Sequence, residues 1–240
     1  PWQGGFAGIG YNKQAYKEAT GKDAPATMSD LWAAELMGRV GLLSEMRDTV
    51  GLVLLSQGVD IASADSLTED AFNAALEEIK AQIDSGQIYN VRGNSYLDDL
   101  TTGNIIAATA WSGDITVINY ESGTDEDPEP FGFVFPESGA TLWADEFVVP
   151  MGATHRRNVE ALIEYYYDPV NAAELALWVN YITPVVGAKE IAAEADPELA
   201  ENQLIFPNAE TLAKSHSFRS LTGPEEQRFS AAWQNLLLGS

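Results

Sequence analysis

The 240-residue sequence contains no cysteine and only two histidines, His155 and His216. Disulfide bonds and cysteine-based nucleophiles are therefore excluded, and a metal site built from several histidines is not expected. No uninterrupted apolar run approaches the ~20 residues that a transmembrane helix requires. Neither a G-x-G-x-x-G nor a Walker pattern follows the glycines at positions 8 and 10, and no G-x-S-x-G motif occurs. Nucleotide-binding loops and a serine-hydrolase elbow are thus not predicted.

Basic residues are also scarce. Thirteen lysines and arginines stand against 36 acidic residues, which gives a formal net charge of -23. Such a surface repels nucleic acid and anionic membranes and attracts cations. A salt-adapted or highly soluble secreted protein would have the same charge, so charge alone does not name a ligand. With 45% hydrophobic and 20% charged residues, the chain can form a globular core in one large or two smaller domains.

The hydrophobic pattern predicts strands that alternate with helices, which is typical of an α/β protein with open sheets. The clearest amphipathic helix covers 66–82, and the apolar run 104–111 is typical of a strand buried on both faces. Further strands are predicted at 6–11, 39–43, 88–91, 131–135 and 146–149. Further helices are predicted at 13–19, from 28, and at 44–57, 96–101, 115–120, 158–167, 170–179 and 224–238, with short helices up to 213.

Two stretches place a tryptophan close to an aspartate where a strand ends. In AATAWSGD the pair is Trp111 and Asp114, and in TLWADEFVVP it is Trp143 and Asp145. An indole face attracts an organic cation, and a carboxylate accepts charge-assisted hydrogen bonds from it. For each tryptophan taken singly, packing in the core is the more common role. Together the two stretches favour a cation-binding site.

A third group of acids lies at a predicted strand-to-helix junction. Glu45 and Asp48 are three residues apart in the first helical turn, so both lie on one helix face. Acids are common there because the helix dipole favours them. In open α/β sheets, however, such junctions also point side chains into a ligand cleft. With Tyr181, these residues suit a diamine or polyamine, which needs a carboxylate at each ammonium and an aromatic wall along its methylenes.

Paired carboxylates also occur in glycosidases, where one acid protonates the leaving group and the other attacks or activates water. Glu45 with Asp145 is a possible pair. The sequence does not give the separation of the two groups, and an acid-rich chain contains many such pairs by chance. The hydrolase hypothesis is therefore the weaker one.

The sequence resembles the periplasmic spermidine/putrescine-binding proteins of ABC importers. The resemblance runs through essentially the whole chain and is most specific in five segments, which follow the order found in that family. These segments are GLLSEMRDTVGL, AWSGD, LWADEFVVP, NYITPVVGA and FPNAETL.

The resemblance implies a type II periplasmic-binding-protein fold with two α/β lobes and the ligand between them. It implies no enzymatic activity, no cofactor and no nucleic-acid partner. It assigns ligand contacts to Glu45, Asp48, Trp111, Asp114, Trp143, Asp145 and Tyr181. A last polar contact falls near Phe218 or Arg219, where the motif departs from the family pattern. An acid at position 114 is more typical of putrescine-type members.

The resemblance also implies partners and boundaries. We expect the protein to be a monomer that delivers a polyamine to a membrane permease, outside the cytoplasm and with or without a lipid anchor. Residues 12–143 and 190–240 are expected to form the second lobe, and 1–11 with 144–189 to belong to the first. Family members carry roughly a further hundred residues before the position of Pro1, the size of one ordinary domain. We therefore expect most of the first lobe to be missing and this chain alone to bind polyamines weakly or not at all. Another solute, such as a sugar or an amino-acid derivative, remains the alternative ligand.

Overall fold

The fold was determined from a computed structural model that describes residues 1–239. The strands are β1 (Gly4–Asn12), β2 (Val40–Leu43), β3 (Ile88–Arg92), β4 (Ala107–Trp111), β5 (Phe131–Val134), β6 (Ala140–Ala144) and β7 (Ser215–His216). The helices are α1 (Lys13–Thr20), α2 (Met46–Ser56), α3 (Glu69–Asp84), α4 (Tyr96–Thr101), α5 (Ser112–Ser122), α6 (Arg156–Tyr166), α7 (Pro169–Val179), α8 (Ala188–Ala195), α9 (Pro197–Ala200), α10 (Ala209–Ala213) and α11 (Gly223–Leu238).

The strands form one mixed sheet in the order β3-β2-β4-β1-β6-β7, and β5 also pairs with β1. The pairs β2–β3, β2–β4 and β6–β7 are parallel, whereas β1 runs antiparallel to β4, β5 and β6. β1 is almost fully buried along its length. It therefore joins the two halves of the sheet.

The apolar side chains form two separate cores. The larger core surrounds the sheet and includes residues from β1 to Trp233 of α11. The smaller core lies among α7, α8 and α9 and consists mainly of alanines, together with Ile205 and Phe206. This smaller core extends across the boundary predicted at 189/190, and that boundary stays a prediction.

Helix starts follow local signals in the sequence. The side chains of Asn12, Thr68 and Asp168 accept hydrogen bonds from backbone N–H groups in the first turns of α1, α3 and α7. Such caps satisfy donors that have no partner inside the helix. α7 also carries proline in its first turn, where the missing N–H costs nothing.

α11 packs across α3 and closes the larger core. The rings of Phe72 and Phe229 are stacked, with their centroids 4.0 Å apart. Trp233 is 4% exposed, and its Nε1 donates a hydrogen bond to the carbonyl of Ser44 at 2.8 Å. The predicted closing helix is thus confirmed, and it reaches the junction between β2 and α2.

The strand predicted at 146–149 is wrong. The strand lies at Ala140–Ala144, where its residues pair with Gly4–Ala7, and the chain from 145 to 150 is irregular. Val148 and Val149 have high strand propensity but are exposed and have no partner strand. Pairing with a distant segment therefore decided the strand position, and local propensity did not.

Three further predictions need correction. The strand expected at 104–111 is parallel only to β2 and antiparallel to β1, and it begins at Ala107. The helix expected from 115 begins at Ser112. The helix expected from Met28 is a short 3-10 helix, Met28–Trp32.

The segment 144–189 carries most of the exposed large apolar side chains. Met151 is fully exposed and Trp178 is 82% exposed, and an apolar groove of about 500 Å³ lies between Trp2, Leu162 and Trp178. Within residues 1–239, no helix has both the length and the apolar character needed to cross a bilayer.

Candidate functional site

An open cleft of about 730 Å³ lies where several elements end next to each other. The start of α2, the ends of β4 and β6, the loop after α7 and one face of α11 form its walls. Six of the eight predicted site residues line it, namely Glu45, Asp48, Trp111, Trp143, Asp145 and Tyr181. These residues are separated by up to 136 positions in sequence, and only the fold brings them together.

Asp48 lies in the first turn of α2 and is 6% exposed. Its Oδ2 accepts a hydrogen bond from Trp111 Nε1 at 2.8 Å, and its Oδ1 accepts one from Thr141 Oγ1 at 3.0 Å. Burial raises the pKa of Asp48, while the bonds from Trp111 and Thr141 oppose that shift. Asp48 thus connects α2 with the end of β4 and the start of β6, and it fixes the indole of Trp111 at the cleft.

Tyr181 and Trp143 form the opposite aromatic wall. The two ring centroids are 5.1 Å apart, and the rings meet edge to face at 71°. Tyr181 follows Asn180, which ends α7 in the left-handed conformation with a φ of 60°. A bridge between Gly4 and Ile182 then fixes the loop against β1. The tyrosine ring is therefore held by backbone contacts on both sides of it in sequence.

Asp114, in the first turn of α5, does not line the cleft and is 8% exposed. Its Oδ1 accepts a hydrogen bond from the hydroxyl of Tyr181 at 2.8 Å, and its Oδ2 accepts one from the hydroxyl of Tyr96 at 3.1 Å. Burial raises the pKa of Asp114, and the two phenol hydrogen bonds oppose the shift. Burial also raises the pKa of both tyrosines, so both phenols stay protonated donors.

Two kinds of acid therefore occur at this site. Asp48 and Asp114 are buried and hydrogen-bonded, and we call them the inner acids. Glu45 and Asp145 line the cleft and are exposed, and we call them the outer acids. Their carboxylates make no hydrogen bond or ion pair within residues 1–239. The outer acids are the ones available to an approaching cation.

Sequence reasoning missed the contribution of α11. Glu226, Ser230, Trp233, Gln234 and Leu237 line the cleft from one face of this helix. Their spacing of three, four and seven residues is the signal that identifies a single helix face. The helix itself was predicted, but its apolar and polar faces were not assigned to the site.

Arg47, which was not among the predicted site residues, also lines the cleft. Its guanidinium forms a 2.6 Å ion pair with Glu226, and both side chains are partly exposed. The cleft lining thus contains four carboxylates, from Glu45, Asp48, Asp145 and Glu226, and one guanidinium, from Arg47. Acidic residues therefore outnumber basic ones in the lining.

Arg219 lies outside the cleft. Its Nη2 donates to Glu225 Oε1 at 2.7 Å and to the carbonyl of Leu67 at 3.1 Å, so it ties the start of α11 to the start of α3. The ring centroid of the neighbouring Phe218 lies 5.9 Å from Cζ of Arg47, which lines the cleft. The structure does not bring Arg219 to the other predicted residues.

A second cavity of about 610 Å³ lies between α5, β5 and α9. Tyr11, Tyr120 and Glu129 are among its lining residues. It contains none of the eight predicted site residues. No group of three or more metal-ligating side chains with metal-binding geometry occurs within residues 1–239.

The structure thus combines a mixed sheet flanked by helices with a cleft at the strand ends that acids and indoles line. A family described as bacterial extracellular solute-binding protein matches residues 1–206, so the chain belongs to that family. The predicted α/β class and periplasmic-binding-protein architecture are confirmed.

Individual relatives agree with the motif-based resemblance. The chain is 27% identical over 213 residues to the spermidine/putrescine-binding periplasmic protein 1 of Haemophilus influenzae, covering 88% of this chain and 54% of that protein. A solved spermidine/putrescine ABC transporter substrate-binding protein from Streptococcus pneumoniae aligns with a TM-score of 0.73 at 23% identity, over 99% of this chain and 68% of that one. A Streptomyces glaucescens receptor solved with acarbose aligns with a TM-score of 0.69 at 17% identity, over 100% and 65%. The chain thus spans little more than half the length of the first relative.

Proposed function

We propose that the protein is the substrate-binding component of a polyamine importer and takes putrescine or spermidine in the cleft. The observation that carries the proposal is the pair of outer acids beside indole walls. Glu45 and Asp145 present unpaired carboxylates, and Trp111, Trp143 and Tyr181 present aromatic surface in the same cleft. Each ammonium group of a polyamine would donate charge-assisted hydrogen bonds to the acids, and the methylenes of the polyamine would pack on the rings.

The names of the relatives support the same ligand class. The Haemophilus influenzae and Escherichia coli relatives are described as spermidine/putrescine-binding, and a further relative as putrescine-binding. We further propose that the protein works outside the cytoplasm, is a monomer, and delivers its ligand to a membrane permease. Closure of two lobes over the ligand would follow because the ligand binds the closed state better than the open one. We propose 1–11 with 144–189 and 12–143 with 190–240 as the lobe segments.

A neutral solute such as a sugar is the second candidate. Asn94, Ser230 and Gln234 add uncharged hydrogen-bonding groups to the cleft, and indoles also stack on sugar rings. The structural relative solved with acarbose shows that the fold is not restricted to one ligand. The outer acids favour the cation because a neutral solute would leave two carboxylates without a countercharge.

A thermal-shift panel separates the two candidates. The protein is purified at the length at which its own cell produces it, and putrescine, spermidine, maltose and glutamate are each titrated. Ligand that binds only the folded state raises the melting temperature with its concentration. We expect stabilisation by micromolar diamine. Stabilisation by maltose with no response to either polyamine would overturn the proposal.

Asp145→Asn tests the role of the outer acid directly. The carboxylate is expected to hold an ammonium group, so its loss should weaken putrescine binding by more than ~1 kcal/mol, the scale of a charge-assisted hydrogen bond. Isothermal titration calorimetry measures the change. Asp125→Asn, in the exposed loop before β5, removes the same charge far from the motif residues and should leave affinity unchanged. Equal affinities for the Asp145 variant and the unaltered protein would make Asp145 a structural residue.

A further inference from the structure

Glu45 lies at the junction between β2 and α2, and backbone hydrogen bonds hold this junction. The N–H of Ser44 donates to the carbonyl of Arg92, at the end of β3, at 2.8 Å. The hydroxyl of Thr49 donates to the carbonyl of Leu43 at 2.7 Å. Glu45 is the N-cap residue of α2, yet its side chain makes no capping bond and the residue is exposed. The backbone that carries this outer acid is therefore fixed, while its carboxylate is free.

The carbonyl of Ser44, directly before Glu45, has its hydrogen-bond partner on α11. Nε1 of Trp233 donates to this carbonyl at 2.8 Å, and Trp233 is 4% exposed. The first backbone bond of α2 runs from the N–H of Thr49 to the carbonyl of Glu45, so no N–H within Met46–Ser56 bonds to Ser44. The indole of Trp233 thus supplies a bond that the adjoining helix does not provide.

α11 also contacts the chain on the other side of Glu45. Oε2 of Glu226 accepts a hydrogen bond from Nη2 of Arg47 at 2.6 Å. Glu226 and Trp233 are seven residues apart, which is about two helical turns, so both lie on one face of α11. The helix itself is anchored on α3 by a stacked pair of phenylalanines. One helix therefore holds the chain one position before Glu45 and two positions after it.

The other outer acid, Asp145, is held by different contacts. Its N–H donates to the carbonyl of Gln3 at 2.7 Å, and its carbonyl accepts the N–H of Trp2 at 2.7 Å. Both bonds run to the segment before β1 and not to α11. The two outer acids thus differ in the element that fixes their backbone, and this difference provides an internal control.

We infer that Trp233 is a positioning residue, which fixes the Ser44 carbonyl and through it the place of Glu45 in the cleft. The inference rests on the proposed polyamine-binding function, in which Glu45 binds an ammonium group of the ligand. A charge-assisted hydrogen bond needs a close and well-aligned donor and acceptor, so its strength depends on how firmly Glu45 is held. The last helix of the chain thereby tunes the affinity of a site whose acids lie on earlier segments.

The first test compares Trp233→Phe with Trp32→Phe by calorimetric titration of putrescine, on the protein at its natural length. Phenylalanine keeps an aromatic ring in the core and removes the indole N–H. Trp32 is the matched control because its Nε1 also donates a hydrogen bond, to Glu78 at 2.9 Å, and neither of these two residues lines the cleft. We expect Trp233→Phe to weaken binding about fivefold, the scale of one hydrogen bond, and Trp32→Phe to leave the affinity unchanged.

A double-mutant cycle shows which acid Trp233 acts on. Glu45→Ala removes the group that Trp233 positions, so in this background Trp233→Phe should change the affinity by less than about 1.5-fold. In the Asp145→Ala background the loss caused by Trp233→Phe should stay at about fivefold. A general effect on the core would give the same loss in both backgrounds, and that result would overturn the inference.

Amide hydrogen exchange of the ligand-free protein gives a measurement that does not depend on putrescine. The N–H of Ser44 is protected by its bond to Arg92, and a looser junction exposes it to solvent more often. We expect this amide to exchange at least about fivefold faster in Trp233→Phe than in Trp32→Phe. Equal rates in the two variants would contradict the positioning role.

The outcomes separate this inference from the proposed function. An unaltered protein that ignores putrescine would overturn the proposed function, while the exchange rates still decide whether Trp233 holds the junction. Unchanged affinity in Trp233→Phe, when the unaltered protein binds putrescine, would overturn the inference alone. A loss of affinity that disappears without the Glu45 side chain and persists without that of Asp145 supports the positioning role.

Discussion

The inner acids and the outer acids are all carboxylates in or next to one cleft, yet they differ sharply in burial and in hydrogen-bond partners. Asp48 and Asp114 are almost fully buried, and each oxygen accepts a hydrogen bond from an aromatic or hydroxyl side chain. Glu45 and Asp145 are exposed and have no such partner in the described chain. A buried carboxylate surrounded by donors organises its neighbours, whereas an exposed one is free to bind. Glu45, the N-cap residue of α2, lies only three positions before Asp48, yet one side chain is exposed and the other is buried.

Among the substitutions that test the difference between inner and outer acids, we expect the largest loss in the free energy of unfolding at Asp48. Asp48→Ala leaves the indole N–H of Trp111 and the hydroxyl of Thr141 unpaired in a buried place, so we expect a loss of about 3 kcal/mol in the free energy of unfolding. Urea denaturation measures it. Glu45→Ala, at the N-cap position of α2 where the side chain makes no capping bond, should change the free energy by less than about 0.5 kcal/mol. Equal losses for the two variants would remove the distinction between inner and outer acids.

A smaller effect concerns pH. Since burial raises the pKa of Asp48 above 3.8, the folded state binds more protons than the unfolded state in the window above that value. Stability from this group therefore falls as pH rises through the window. We expect the unaltered protein to lose stability relative to Asp48→Asn as pH increases from about 4 towards neutrality.

Glu225 provides a control of opposite sign for the pH experiment. Arg219 and the Thr222 cap lower its pKa from 4.5 to about 2. Its contribution is present above pH 4.5 and is lost as pH falls towards 2. Relative to Glu225→Gln, the unaltered protein should therefore gain stability with rising pH over that range. A common sign for the two acids, measured by urea unfolding at several pH values, would contradict the assignment.

The smallest expected effect lies at the exposed ion pair of Arg47 and Glu226. Both side chains are more than 40% exposed, so solvent screens the attraction. Arg47→Met should change the free energy of unfolding by less than about 0.5 kcal/mol, and added salt should have little influence on the difference. A loss above about 1 kcal/mol in chemical denaturation would mean that this exposed ion pair also stabilises the fold.

Local signals in the sequence were sufficient for the helices and for the choice of site segments. The predicted amphipathic helix α3 depends only on neighbours along the chain, and it is confirmed. The caps at Asn12 and Asp168 likewise involve only residues within three positions. The two Trp/Asp stretches do meet in one cleft. These features were predictable because their causes lie within a few residues.

Features that depend on distant partners were not predictable. β6 lies at 140–144 because β1 pairs there, although the residues after it have the stronger strand propensity. Asp114 was predicted to contact ligand, and only the fold shows that it is buried and that its oxygens accept hydrogen bonds from Tyr96 and Tyr181. Sequence spacing places an acid near a site, but the hydrogen-bond donors around it decide its role.

The packing of α11 has a consequence for biosynthesis. Phe229 and Trp233 complete a core whose other members begin at β1, and Trp233 also bonds the carbonyl of Ser44, 189 positions earlier. Contacts of such long sequence separation form late and slowly. A nascent chain still holding residues 223–238 in the ribosomal tunnel would expose Phe72 and its apolar neighbours on α3, a surface of the kind that chaperones bind. The cleft therefore takes its full shape only after α11 has been translated.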